Sequence, residues 1–141
     1  MPTTDPTADL TTRTCSLPDG RTLAYAVAGD PDGAPVVAHH GTPGSRLFAA
    51  LLAAAARETG VRLVVPDRPG YGRSDPPPDG WSWADWPAAF EALAAAESLD
   101  RVAALGFSGG GPFALAAGTR DRTTRVALVS ALAPPTAGGL A

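Results

Sequence analysis

Apolar residues in this chain gather in short runs separated by glycine, proline and aspartate. Thr11 to Ser16 and Arg21 to Ala28 are strand-like runs joined by Pro18-Asp19-Gly20, a turn signal, and together they predict an antiparallel hairpin. Asp30-Pro31-Asp32-Gly33 leads into Val36-Val37-Ala38-His39, a short strand of the buried type. Ser45 then stands where a helix needs a cap, Leu47, Leu51 and Ala54/Ala55 recur at spacings of three and four, and Gly60 stops the helix before the buried strand Val61 to Val65. The stretch 66–80, rich in Pro and Gly, reads as a loop. Ser82 with Asp85 three residues on is a capping-box pattern for a helix running to about Leu99, with Pro87 shifting its start by a few residues. The strand Val102 to Phe107, a helix to about Thr119 and a strand Arg125 to Ser130 complete the series.

The total is six strands and three helices. From Val36 onward strand and helix alternate, which predicts an α/β fold with a mostly parallel sheet behind the N-terminal antiparallel hairpin. Residues 1–10 read as a flexible N-terminal segment and 11–141 as part of one domain. An apolar fraction of 45% in 141 residues is enough for a real core.

Charge narrows the function little. Eleven basic residues against 14 acidic ones give a net charge of −3, and the arginines are scattered instead of forming a patch that could grip phosphates, so nucleic acid is not an expected partner. All the basic residues are Arg, and Lys, Asn, Gln and Ile are absent, a pattern of coding bias on which no function rests. The polar N-terminus has early acids and no apolar core, unlike a secretory signal. The longest apolar stretch, Leu47 to Ala56, is far short of the ~20 residues of a membrane span. A lone Cys15 allows no internal disulfide and has no neighbouring His or Cys for a metal. A cytoplasmic protein without membrane partner or metal is the expectation.

Candidate chemistry sits at Gly106-Phe107-Ser108-Gly109-Gly110, a Gly-x-Ser-x-Gly pentapeptide between the apolar run Val102 to Leu105 and the alanine-rich helical run Pro112 to Ala117. Strand, sharp turn and helix are the context in which a serine is held out as a nucleophile, with the glycines keeping strand and helix from clashing. Two further segments follow strand ends, where open α/β sheets place ligand sites. They are His40-Gly41-Thr42-Pro43-Gly44 and Asp67-Arg68-Pro69-Gly70-Tyr71-Gly72-Arg73-Ser74.

In this order and spacing the chain resembles the α/β-hydrolase superfamily over about residues 20–135, and within it the single-domain group with an HGxPG loop and a GxSGGGP elbow. The resemblance implies an α/β-hydrolase fold and Ser108 as nucleophile. It further implies an oxyanion hole from the backbone N–H groups of Gly109 and Thr42, where each donor is typically worth ~3 kcal/mol. The helix that starts near Gly110 adds its positive end at the same spot. The resemblance also implies a small-molecule acyl substrate and no metal or organic cofactor. His40, Gly41, Asp67 and Arg68 line the site. His40 is structural in the family's loop, His39 faces core or solvent, and Asp67, Arg68 and Ser74 are scaffolding of the rim. Trp81, Trp83 and Trp86 are expected in helix packing. Serine at the elbow argues against the family's dehalogenases and epoxide hydrolases, but does not separate esterase, thioesterase, lactonase, amidase or cofactor-free perhydrolase.

One departure is plain. The family orders its triad Ser, then Asp or Glu, then His, yet no histidine follows Ser108, and the only later carboxylate is Asp121, in a turn. The expectation is therefore the N-terminal part of a complete enzyme, ending after about the sixth strand. A non-catalytic remnant and half of a split enzyme are the alternatives. The uncovered sixth strand is expected to favour self-association.

Overall fold

The computed structural model describes residues 5–132. Its strands are β1 (Thr11–Ser16), β2 (Thr22–Gly29), β3 (Ala34–His39), β4 (Val61–Pro66), β5 (Val102–Phe107) and β6 (Thr123–Val129), and its helices are α1 (Ala49–Glu58), α2 (Trp86–Ala96) and α3 (Gly111–Ala117). The strands form one sheet in the order β1-β2-β4-β3-β5-β6. The first two pairings, β1 with β2 and β2 with β4, are antiparallel; the remaining three are parallel. This is the mostly parallel sheet with an N-terminal antiparallel hairpin expected from the alternation, and the arrangement that the resemblance to the α/β-hydrolase superfamily implies; all six strands and three helices fall within a few residues of their predicted places.

Successive residues of the central strands feed opposite faces, as the pleat requires. Val37 and Val64 join Trp86, Phe90, Leu93 and Phe113 on the α2/α3 side. Their neighbours Ala38 and Val65 pack with Ala49, Ala53 and Ala56 of α1 on the other. Both predicted caps are present. Ser45 Oγ accepts from the Leu47 N–H, and Ser82 with Asp85 forms a reciprocal capping box. Each caps a single 3-10 turn that precedes its helix, and in α2 Pro87 falls in the first turn, where its missing N–H costs nothing.

Residues 5–10, expected in a flexible segment, form hydrogen-bonded turns, with the Asp5 carboxylate accepting from both the N–H and the hydroxyl of Thr7. Leu10 packs on the α1-side core, and Asp9 pairs with Arg57. Residues 1–4 lie outside the described residues. The tryptophans also divide: Trp86 is fully buried and Trp81 stacks on Phe113, but Trp83 is 54% exposed.

Candidate active site

Sheet order brings the three motif segments together. Because β3 lies between β4 and β5 and all three run parallel, the loops after their carboxyl ends are neighbours. Ser108 follows β5 immediately and has φ 48°, the left-handed region that an L-residue with a side chain enters only at a cost. The glycines around it leave no room for a side chain. A Cβ on Gly106 would come within 2.8 Å of both the Gly110 carbonyl and the Gly111 Cα, and one on Gly110 would overlap the His39 carbonyl. The elbow is thus pressed against the end of β3. A Cβ on Gly109 would stand 2.5 Å from Thr42 Oγ1 and 3.4 Å from Thr42 N, so Thr42 packs closely over Gly109 beside Ser108.

His40 is completely enclosed, and both ring nitrogens are occupied. Its Nδ1 lies 2.8 Å from the Gly41 carbonyl, and its Nε2 accepts the Arg68 N–H at 3.1 Å. The first contact requires the proton on Nδ1, so Nε2 is free to accept. Burial lowers its pKa. His39 is likewise enclosed: Nδ1 reaches the Leu105 carbonyl at 2.9 Å and Nε2 accepts from the Trp86 indole at 3.1 Å. Burial holds this imidazole neutral, with its pKa pushed down to about 4. These are the chain's two histidines: His40 ties two loops together and His39 ties β3 to β5 and α2, and neither has a nitrogen left to deprotonate a serine.

Asp67 is buried and anchors rather than reacts. Its carboxylate accepts the backbone N–H of Arg46 at 2.5 Å and of Arg73 at 2.9 Å, and pairs with the Arg46 guanidinium at 3.0 Å. A Cβ on Gly72, at φ 53°, would overlap that carboxylate. Ser74 donates to the Asp67 carbonyl and accepts from Ala24 N–H, tying the same loop to β2. Arg68 points the other way, toward the elbow. Nη1 donates to the Gly109 carbonyl at 2.7 Å, and Nη2 donates to the Gly41 carbonyl at 3.1 Å and to Thr42 Oγ1 at 2.5 Å.

An apolar cleft of about 810 Å³ opens at Ser108 between the 40–45 loop and α1, walled by Leu47, Phe48, Leu51, Phe107 and Val129. Phe48 and Phe107 stack on each other in its wall, their ring centroids 5.4 Å apart. Sequence reading missed these walls, because Phe48 and Phe107 belong to separate elements and nothing local pairs them. It also missed Tyr71 and Phe113, which sandwich Arg68, and Arg46, the partner of Asp67. Asp121 is remote from the elbow: it precedes β6, which is parallel to β5, and so lies at the opposite end of the sheet. Among the described residues no three His, Cys, Asp or Glu side chains gather as a metal site, and no helix is long and apolar enough to cross a membrane.

Comparison with known proteins agrees with this architecture. The family model described as the alpha/beta hydrolase fold matches residues 34–141. A non-heme chloroperoxidase of Streptomyces lividans is 36% identical over 131 residues, an alignment covering 86% of this chain and 45% of the relative. Among solved structures, an esterase from Exiguobacterium antarcticum superposes with a TM-score of 0.74 at 28% identity, covering 86% of this chain and 46% of its own. The epoxide hydrolase CorEH has a TM-score of 0.78 at 24% identity over 94% of this chain and 46% of its own, a likeness of fold. The chain spans less than half the length of each of these proteins.

Proposed function

The chain belongs to the α/β-hydrolase family, and we propose that within it the chain is the nucleophile-bearing part of a serine hydrolase that transfers the acyl group of an ester or similar small substrate to water. Ser108 is the nucleophile, and the amides of Gly109 and Thr42 receive the charge that develops on the tetrahedral intermediate. The observation that carries this reading is the strained backbone of Ser108, φ 48°, at the mouth of an apolar cleft and against the Thr42 loop. Strain of this kind persists where the surrounding structure over-determines it, and here the crowded glycines do so. The walls of the cleft favour an apolar acyl or alcohol group.

The base is the missing part. With both imidazoles committed, and Asp121 at the far end of the sheet, the described residues hold no group placed to act as triad acid or base. In this reading downstream sequence or a partner polypeptide would supply an acid and a histidine; the alternative is a non-catalytic hydrolase remnant. A serine without a base stays protonated, and only oxyanion and binding contributions remain. The 141-residue chain alone is therefore expected to hydrolyse activated aryl esters barely above background, with Ser108→Ala changing little. The polypeptide extended through its native downstream sequence is expected to turn over esters and to take a fluorophosphonate at Ser108, seen by mass spectrometry. Robust turnover by the 141-residue chain, abolished by Ser108→Ala, would mean that a base has been overlooked. Ester turnover by the extended protein that survives Ser108→Ala would remove the nucleophile assignment.

A further inference from the structure

Arg68 is 3% exposed, yet none of the described carboxylates forms an ion pair with it; the neighbouring Asp67 is taken up by Arg46. A buried cation without an anion is costly, and a loop that merely needed a brace would do as well with a neutral amide. What surrounds the charge is specific. The guanidinium lies between the rings of Tyr71 and Phe113, its carbon 4.6 and 4.8 Å from their centroids. Its two terminal nitrogens reach three oxygens on the two loops that meet at Ser108: the carbonyls of Gly109 and Gly41 and the hydroxyl of Thr42. Its Nε has no hydrogen-bond partner among the described residues.

The contact with Gly41 bears on the chemistry. The carbonyl of Gly41 and the N–H of Thr42 belong to one peptide unit, which is trans, since the cis bond of this loop is Thr42–Pro43. In a planar trans unit the C=O and N–H point in opposite directions, so a cation holding the oxygen turns the Thr42 N–H away from itself. Hydrogen bonds in series also polarise one another, so a charged donor on the carbonyl makes the N–H beyond it a stronger donor. Through Gly109 the same side chain fixes the residue that follows the nucleophile.

We infer that Arg68 is a positioning residue for acyl transfer, which aims and polarises the Thr42 amide and holds it in register with Gly109, while its unpaired positive charge favours the anionic tetrahedral intermediate. This rests on the serine-hydrolase reading of the site. The substrate carbonyl is neutral before attack and negative after it, so the contribution belongs to the transition state and should appear in kcat and not in KM.

The test compares Arg68→Met, Arg68→Lys and Ser108→Ala in the full-length polypeptide that carries these residues, using an aryl acetate and counting active sites by fluorophosphonate titration. Arg68→Met is expected to lower kcat about 10- to 100-fold with KM within about twofold, and Arg68→Lys, which keeps the charge but lacks the fork, to lose less. A purely structural arginine would lower the melting midpoint but leave kcat per titrated site unchanged, and that result overturns the inference. So does a loss carried by KM, or failure of both Arg68 variants to fold, which would make the residue a folding element. If Ser108→Ala abolishes turnover while Arg68→Met keeps its kcat, the Arg68 inference alone falls. If the unsubstituted protein hydrolyses no ester, or Ser108→Ala keeps its rate, the hydrolase reading falls and takes the inference with it.

Discussion

Trp86 donates its indole N–H to Nε2 of His39 at 3.1 Å, and both side chains are completely enclosed. The bond joins the start of α2 to the last residue of β3, just before the 40–44 loop. Because Nδ1 of the same ring faces the Leu105 carbonyl, the imidazole is full in its neutral form and has no place for a second proton.

Acid should therefore loosen the fold. Burial depresses the His39 pKa from 6.5 to about 4, so the unfolded chain binds a proton that the folded one refuses. The contribution is fully present above pH 6.5, is lost as pH falls toward 4, and levels off below that, with a ceiling of roughly 3 kcal/mol. Urea unfolding at pH 7.5, 5.5 and 4.5 checks the slope, and a titration of the His39 ring by NMR near its ordinary pKa would contradict it. Trp86→Phe leaves Nε2 buried without a donor and is expected to cost about 1–3 kcal/mol at neutral pH.

Glu97, at the end of α2, makes a second long-range junction. Its buried carboxylate accepts from the Tyr25 hydroxyl at 2.6 Å, from Arg13 at 2.9 Å and from Arg62 at 2.5 Å, tying α2 to β2, β1 and β4. Burial alone would raise this carboxyl, but the hydrogen bonds of Tyr25 and Arg13 and the charges of Arg13 and Arg62 hold it below its ordinary value. Its share of stability is thus present above the ordinary carboxylate pKa and fades as pH drops through the lowered one. Glu97→Gln leaves two arginines facing a neutral amide and is expected to cost roughly 3 kcal/mol, the low end for a broken buried pair because Arg13 is half exposed. Equilibrium denaturation would show it, and an unchanged midpoint would mean that the network is idle.

Ser108→Gly is expected to stabilise the folded chain by about 1 kcal/mol while removing the hydroxyl, since glycine takes φ 48° without the penalty that serine bears. The comparison is with Ser108→Ala, which keeps the Cβ and the strain. If the glycine variant unfolds at a lower denaturant concentration than the alanine one, Ser108 is not held under strain.

Among the described residues β6 pairs only with β5, so its outer side presents open backbone groups, and Val126, Leu128 and Val129 are 38, 46 and 47% exposed. Such an edge recruits other strands. Sedimentation velocity on the 141-residue chain is expected to show association that grows with concentration and is reduced by Leu128→Lys. A monodisperse monomer across the range would contradict this.

What the sequence determined by itself is what depends on a few neighbouring residues. Capping serines, turn prolines and glycines, and the periods of apolar residues act within one or two turns of chain, so they specified all nine elements and the α/β alternation. The Gly-x-Ser-x-Gly elbow was legible for the same reason: its steric demand is met by its own glycines. The tertiary structure decided what two distant segments do to each other. Arg68 and Gly109 lie 41 residues apart, His39 and Trp86 47, and Arg13 and Glu97 84. No local propensity marks either partner of these pairs, because a buried polar side chain is defined by the group that satisfies it, and that group arrives only when the sheet order β4-β3-β5 sets the loops side by side. Both histidines show the difference. From sequence they could face core or solvent or brace a loop, and it is packing that filled both nitrogens of each ring.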